Sequence, residues 1–147
     1  MSVRLTGPAQ REPRLDVPLL RRRAQRMLRE IGHARSELSL ALVDDAEIAQ
    51  LNGDYRGRPR PTDVLSFSLV EGPHRHFRGQ LLGDVVISLD TARLQARERR
   101  RGLDEVVGRL VVHGVLHLIG YDHEDDAEAK AMQLEERRLW SAAVELQ

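Results

Sequence analysis

The chain has 147 residues, of which 41% are hydrophobic and 31% charged, with 23 acidic and 23 basic side chains. That is the length of one domain, expected to span residues 1–147, and it suffices to bury about two-thirds of the surface that the unfolded chain exposes. No Cys is present, which excludes disulfide frameworks, thiolate nucleophiles, iron–sulfur clusters and Cys-based zinc fingers, and leaves His, Asp and Glu to hold any metal.

The first fifteen residues lack the basic start and apolar run of a secretory leader, so a cytoplasmic location is expected. Val3–Leu5 can form a short first strand, followed by a polar, Pro-containing stretch from Gly7 to Arg14. Asp16 is placed to cap a helix with Pro18 in its first turn. Leu19, Leu20, Ala24, Met27, Leu28 and Ile31 then recur at helical spacing until Gly32. Leu38, Leu40 and Leu42 alternate with smaller residues and predict a strand over 37–43. Asp44 or Asp45 caps a short helix that turns Ile48 and Leu51 inward. Residues 52–63, rich in Gly, Pro and Asn, are expected to form a loop carrying Arg56, Arg58 and Arg60.

Val64–Val70 and Leu81–Leu89 are the next two expected strands, the second interrupted by Gly83, with a hairpin connection over Glu71–Gly79. Asp90 or Thr91 should cap an Arg-rich helix ending at Gly102. From Leu103 to Ile119 the chain is apolar on most sides; it exceeds usual strand length and stops at Gly120, so it predicts a helix. Its apolar runs are broken by Gly, Arg and His far short of the ~20 residues of a bilayer span. An acidic amphipathic helix with Met132, Leu139 and Trp140 follows from about Asp125. The fold class is therefore α/β or α+β, with roughly four strands and four to five helices.

Charge is segregated along the chain. Residues 1–101 hold 19 basic and 13 acidic side chains, and residues 102–147 hold 4 and 10, so a piece of +6 is joined to one of −6. All but Lys130 of the basic residues are Arg. The plain reading of the preference for Arg is a codon bias, which does not explain its segregation; segregated positive charge is compatible with a nucleic-acid partner.

The segment with chemistry is His113-Gly-Val-Leu-His117-Leu-Ile-Gly120-Tyr-Asp122-His123, which holds three of the six His. On a helix, His113 and His117 share a face one turn apart, and Gly120 allows the left-handed turn that brings in His123. Three imidazoles leave a position open for water, the arrangement of a catalytic rather than a structural zinc site. Asp122 is a candidate acceptor for orienting one ligand. A lone His beside an apolar helix is usually a packed core residue, but three at this spacing favour a metal. Metzincin proteases share the spacing with a Glu base after the first His; here that position is Gly114, which argues against peptide hydrolysis. An Arg from the 56–60 cluster can clamp a phosphate, or the cluster can be a solvated loop. His33, His74 and His76 have no partner at ligand spacing.

The strings Leu51-Asn52, Tyr55-Arg56-Gly57, Pro61-Thr62-Asp63-Val64-Leu65-Ser66-Phe67, Leu82-Gly83-Asp84-Val85-Val86-Ile87-Ser88 and His113 through His123, with Met132 and Glu136 beyond, resemble the bacterial YbeY endoribonucleases. The likeness covers residues 37–140, with only an outline match before them; Ser68 stands where many members have Pro, and the 70–80 connection has no counterpart. The resemblance implies a small mixed four-stranded sheet packed with about five helices, the central one carrying the HxxxH pair. It also implies one zinc ion per chain on His113, His117 and His123, with Arg56 as the essential residue that is not a ligand. The implied activity is single-strand-directed endoribonuclease cleavage in 16S ribosomal RNA 3′-end maturation and ribosome quality control. The partners would be ribosomal RNA and the ribosome or small-subunit proteins. Other readings of the same residues are a ribosome-assembly or RNA-binding factor with a structural zinc, a metallohydrolase of another substrate, and a packed His cluster without metal.

Overall fold

A computed structural model of the chain describes residues 3–7, 11–68 and 81–145. The expected hairpin connection, with His74 and His76, lies outside these residues. Four strands and five helices follow one another among the described residues: β1 (Val3–Thr6), α1 (Val17–Glu30), β2 (Glu37–Val43), α2 (Asp45–Arg56), β3 (Val64–Ser68), β4 (Leu81–Ser88), α3 (Leu89–Arg99), α4 (Leu103–Leu118) and α5 (Asp126–Val144). The strands lie in the order β1-β2-β4-β3, with β1, β2 and β4 parallel and β3 antiparallel to β4. The sheet is therefore mixed, as the resemblance implied.

Alternation along the strands separates two apolar clusters. Leu38, Leu40 and Leu42 of β2, with Val85 and Ile87 of β4, turn to the larger core, where they meet residues of α1, α3, α4 and α5. Val43, Leu65 and Val86 join Ile48 of α2 in a smaller one. Helix α4 packs against β3, β4, α1, α3 and α5. Its Val107, Val111, Val115 and Leu116 are fully enclosed, and this position explains why its sequence is apolar nearly all round. Burying each such side chain contributes about 1.5–3 kcal/mol.

Several helix ends differ from the sequence expectation. Helix α2 runs on to Arg56 instead of giving way to a loop at Asn52. Asn52 is buried and its Nδ2 donates to the Arg60 carbonyl at 3.0 Å, and Gly57, at φ 69°, closes the helix in the left-handed conformation. Gly53 is tolerated within this helix because Pro59 folds back against it, 3.0 Å from where a Cβ would stand. Ser88, rather than Asp90 or Thr91, caps α3 by accepting from the Thr91 N–H. The left-handed residue that ends α3 is Arg100, and Gly102 instead precedes α4 as its N-cap. Leu89 is the first residue of α3, not the last of the strand before it. Asp16 caps α1 as expected, Asp44 rather than Asp45 caps α2, and Asp125 caps α5, each accepting from the N–H of the third residue beyond it.

The polar segment before α1 is anchored by Glu12, whose side chain is 4% exposed. Its carboxylate accepts from the Arg14 guanidinium and backbone N–H at 3.0 Å and from Arg93 Nε of α3 at 2.7 Å. Arg14 first, and then Arg93, hold this carboxyl down from its ordinary 4.5 to about 2. A depressed carboxyl stabilises the fold above its unfolded-state value, and the contribution disappears as pH falls through the folded-state one. Chemical denaturation of the wild type beside Glu12→Gln is expected to show the variant less stable near neutral pH. The difference should shrink as pH falls from about 4.5 towards 2; a gap constant over that range would show that the charge on Glu12 contributes nothing.

Candidate metal and phosphate site

The last two turns of α4 carry His113 and His117 side by side, with their Nε2 atoms 3.1 Å apart. The helix then ends in a Schellman motif: Gly120 N–H donates to the His117 carbonyl at 3.1 Å and Tyr121 N–H to the Leu116 carbonyl at 3.0 Å. This reversal requires the left-handed Gly120, at φ 107°, and it carries His123 back towards the helical pair. One ring nitrogen from each of the three His lies within 4.8 Å of the others. A tetrahedral zinc with bonds of about 2.0–2.1 Å separates its nitrogen ligands by about 3.3 Å. The helical pair is already near that spacing, and this donor set fits a borderline-soft divalent ion.

Protonation supports the same reading. Burial, and then the neighbouring His113 and His123, push the His117 imidazole below its ordinary value of 6.5, so it is neutral near pH 7 and able to ligate. Glu136 on α5 accepts from His113 Nδ1 at 2.6 Å. That bond keeps the proton on Nδ1 and directs the Nε2 lone pair towards His117, the carboxylate–histidine arrangement typical of metal sites. The sequence reading assigned an orienting role to Asp122. Instead, Asp122 accepts from the His123 backbone N–H at 2.8 Å, and its Oδ1 lies 3.8 Å from the His123 ring. Glu136, named with the resemblance but given no role there, falls on the same face of α5 as the buried Met132, Leu139 and Ala143, where a carboxylate needs a partner.

A cavity of about 530 Å³ opens in front of the three His and is also lined by Arg56, Thr62, Asp63, Ser66 and Asp122. Arg56 reaches it from the end of α2 and has no carboxylate partner among the described residues. Arg58 and Arg60 are exposed in the following loop and do not line it. His33 contacts Ser36 Oγ at 3.2 Å in the turn after α1, away from the cluster. Gly114 faces the sheet: a Cβ there would come within 2.7 Å of Val85 Cγ1 and 3.1 Å of Ser66 Oγ, and its carbonyl accepts from that hydroxyl at 2.9 Å. A Glu at this position, as in the metzincin pattern, would collide with β3 and β4.

The chain is similar to known proteins over most of its length. The family described as Endoribonuclease YbeY matches residues 10–143. An endoribonuclease YbeY from Anaeromyxobacter is 47% identical over 139 residues, covering 95% of this chain and 70% of that one. One from Geobacter metallireducens is 38% identical over 143 residues, covering 96% and 95%. The solution structure of a Thermotoga maritima protein superposes with a TM-score of 0.67 at 25% identity, covering 96% of this chain and 88% of that one.

Two measurements test the geometry. Removing the carboxylate in Glu136→Ala should weaken metal binding about 10–100-fold in a chelator competition while the circular dichroism of the fold is kept; unchanged affinity would show that His113 needs no orienting partner. Gly114→Ala should lower stability by about 1–3 kcal/mol, the usual cost of forcing atoms into a filled space, as read from urea denaturation.

Proposed function

The chain belongs to the endoribonuclease YbeY family, and we propose that it is a zinc-dependent endoribonuclease cleaving single-stranded RNA in 16S ribosomal RNA 3′-end maturation and ribosome quality control. The observation that carries this reading is the convergence on one open cavity of three imidazoles and of Arg56, whose guanidinium has no carboxylate partner among the described residues. His113, His117 and His123 are the proposed ligands. Zinc on such a set supplies Lewis acidity and a water ionised near neutral pH, so no protein carboxylate has to act as the base.

The chain's own residues do the remaining work. Glu136 fixes the tautomer of His113. Arg56 binds a non-bridging oxygen of the scissile phosphate and meets the charge that grows on it during attack, a role in which one donor is worth about 3 kcal/mol. Because Gly114 is sealed against Val85 and Ser66, the position that supplies the base in metzincins stays outside the chemistry. Arg58 and Arg60, exposed beyond Arg56, extend the positive surface along the RNA backbone. The proposed partners are ribosomal RNA and the ribosome or its small-subunit proteins. The proposed setting is a single domain in the cytoplasm; no helix among the described residues is long and apolar enough to cross a membrane.

Metal content and cleavage of a single-stranded ribosomal RNA fragment, measured on the wild type, His117→Ala and Arg56→Ala, separate the two roles. One zinc per chain is expected in the wild type. His117→Ala should lose zinc and cleavage together, whereas Arg56→Ala should keep zinc and lose about 10²–10³-fold in rate. Cleavage by a zinc-free His117→Ala protein would overturn the mechanism. Stoichiometric zinc without cleavage by the wild type would leave an RNA-binding assembly factor with a structural metal.

A further inference from the structure

A second cavity, of about 330 Å³, lies between α3, α4 and α5 and shares His113 and Asp63 with the wall of the first. We propose that it seats one unstacked nucleobase of single-stranded RNA adjacent to the scissile phosphate, with Arg99 holding the neighbouring phosphate. The inference rests on the nuclease reading above and extends it to how the strand is held.

The two ends of the cavity differ in chemistry. Its apolar side is formed by Val106, Leu110 and Trp140, whereas Arg99, Arg101 and Arg109 supply cations. Arg101 and Arg109 both donate to Glu105 Oε2 at 3.0 Å and are partly neutralised; Arg99 has no carboxylate partner among the described residues. A recess with one apolar, aromatic wall and, at its edge, a guanidinium without a carboxylate partner among the described residues matches a single nucleotide, whose base is flat and weakly solvated and whose phosphate is anionic. The volume is near the lower end of the ~300–1,000 Å³ typical of small-ligand sites. A base enters such a recess only when unpaired and unstacked, so the cavity also favours a single strand over a duplex.

Its position selects RNA over a free nucleotide. Because His113 and Asp63 belong to both cavities, a strand whose phosphate lies between the metal ligands and Arg56 has its next base beside this recess. The polar link between the cavities is held firmly: Gln95 Nε2 donates to Asp63 Oδ2 at 3.0 Å, and Glu136 holds His113.

Trp140 is the sole Trp of the chain, so its fluorescence reports directly on the recess. The metal-depleted protein would be titrated, in chelator, with a short single-stranded RNA, with the same strand carrying abasic sites, and with a duplex of the same sequence. Binding would be followed in parallel by anisotropy of labelled RNA. The single strand should change Trp140 emission saturably, the abasic strand and the duplex should bind roughly tenfold more weakly, and Arg99→Ala should weaken single-strand binding while Arg99→Lys restores part of it. Equal binding of the abasic strand, or RNA binding with silent Trp140 emission, would overturn the base subsite. If the zinc-loaded wild type fails to cut RNA but this binding pattern holds, the nuclease reading fails and the subsite stands. If Trp140 stays silent and Arg99→Ala cuts RNA at the wild-type rate, the subsite fails and the nuclease reading stands.

Discussion

Helix α4 is enclosed by two strands and three helices, and the site depends on the contact that seats it against the sheet. At Gly114 the helix backbone comes close enough to β3 and β4 that the Ser66 hydroxyl bonds its carbonyl and Val85 occupies the space of a side chain. A contact this tight fixes the rotation of α4 about its own axis. With Gly114 turned to the sheet, the adjacent His113 and, one turn on, His117 are presented at the edge of the packed layer, half-buried and in register with Glu136 of α5. Had the sheet contact been made through a larger residue, the helix would stand farther off and the imidazoles would lose their common focus with Arg56.

The segregation of charge in the chain has a spatial counterpart. The basic first part supplies Arg56 and Arg99, neither of which has a carboxylate partner among the described residues, at two neighbouring cavities. The acidic second part contributes Glu136 and Glu105, which are used internally, one to orient an imidazole and the other to bind two guanidinium groups. Glu136 and Glu105 are thus committed to protein partners, whereas Arg56 and Arg99 have no carboxylate partner among the described residues. Net charge alone, which is zero, conveys none of this.

Periodicity made most of the fold legible: the alternation over Glu37–Val43, the helical spacing before Gly32 and the apolar run from Leu103 each correspond to an element. The His triad was legible for the same reason, since one turn of helix relates His113 to His117 and a Gly marks the reversal. The misplaced boundaries lay where a local preference was overruled by a distant contact. Asn52 and Gly53 read as loop residues, yet the bond to the Arg60 carbonyl and the fold-back of Pro59 keep them helical. Gly102 resembled a helix stop, but Arg100 accepted the left-handed conformation first. The pairing of His113 with Glu136 spans 23 residues and depends on how α4 and α5 pack, which no local pattern specifies. Asp122, the sequence neighbour of His123, was the nearer candidate and is engaged by the backbone instead.

The Schellman reversal after α4 divides the three His mechanically. Two belong to a rigid, enclosed helix, whereas His123 stands on an exposed turn beyond Gly120. Only five residues separate His117 from His123, so closing this loop around an ion costs little chain entropy. An incoming ion can be captured first by the helical pair and then by the turn, and it can leave by the reverse order without any movement of the core. Exchange of an ion held by these three side chains would therefore require the opening of one short turn and not the unfolding of the domain.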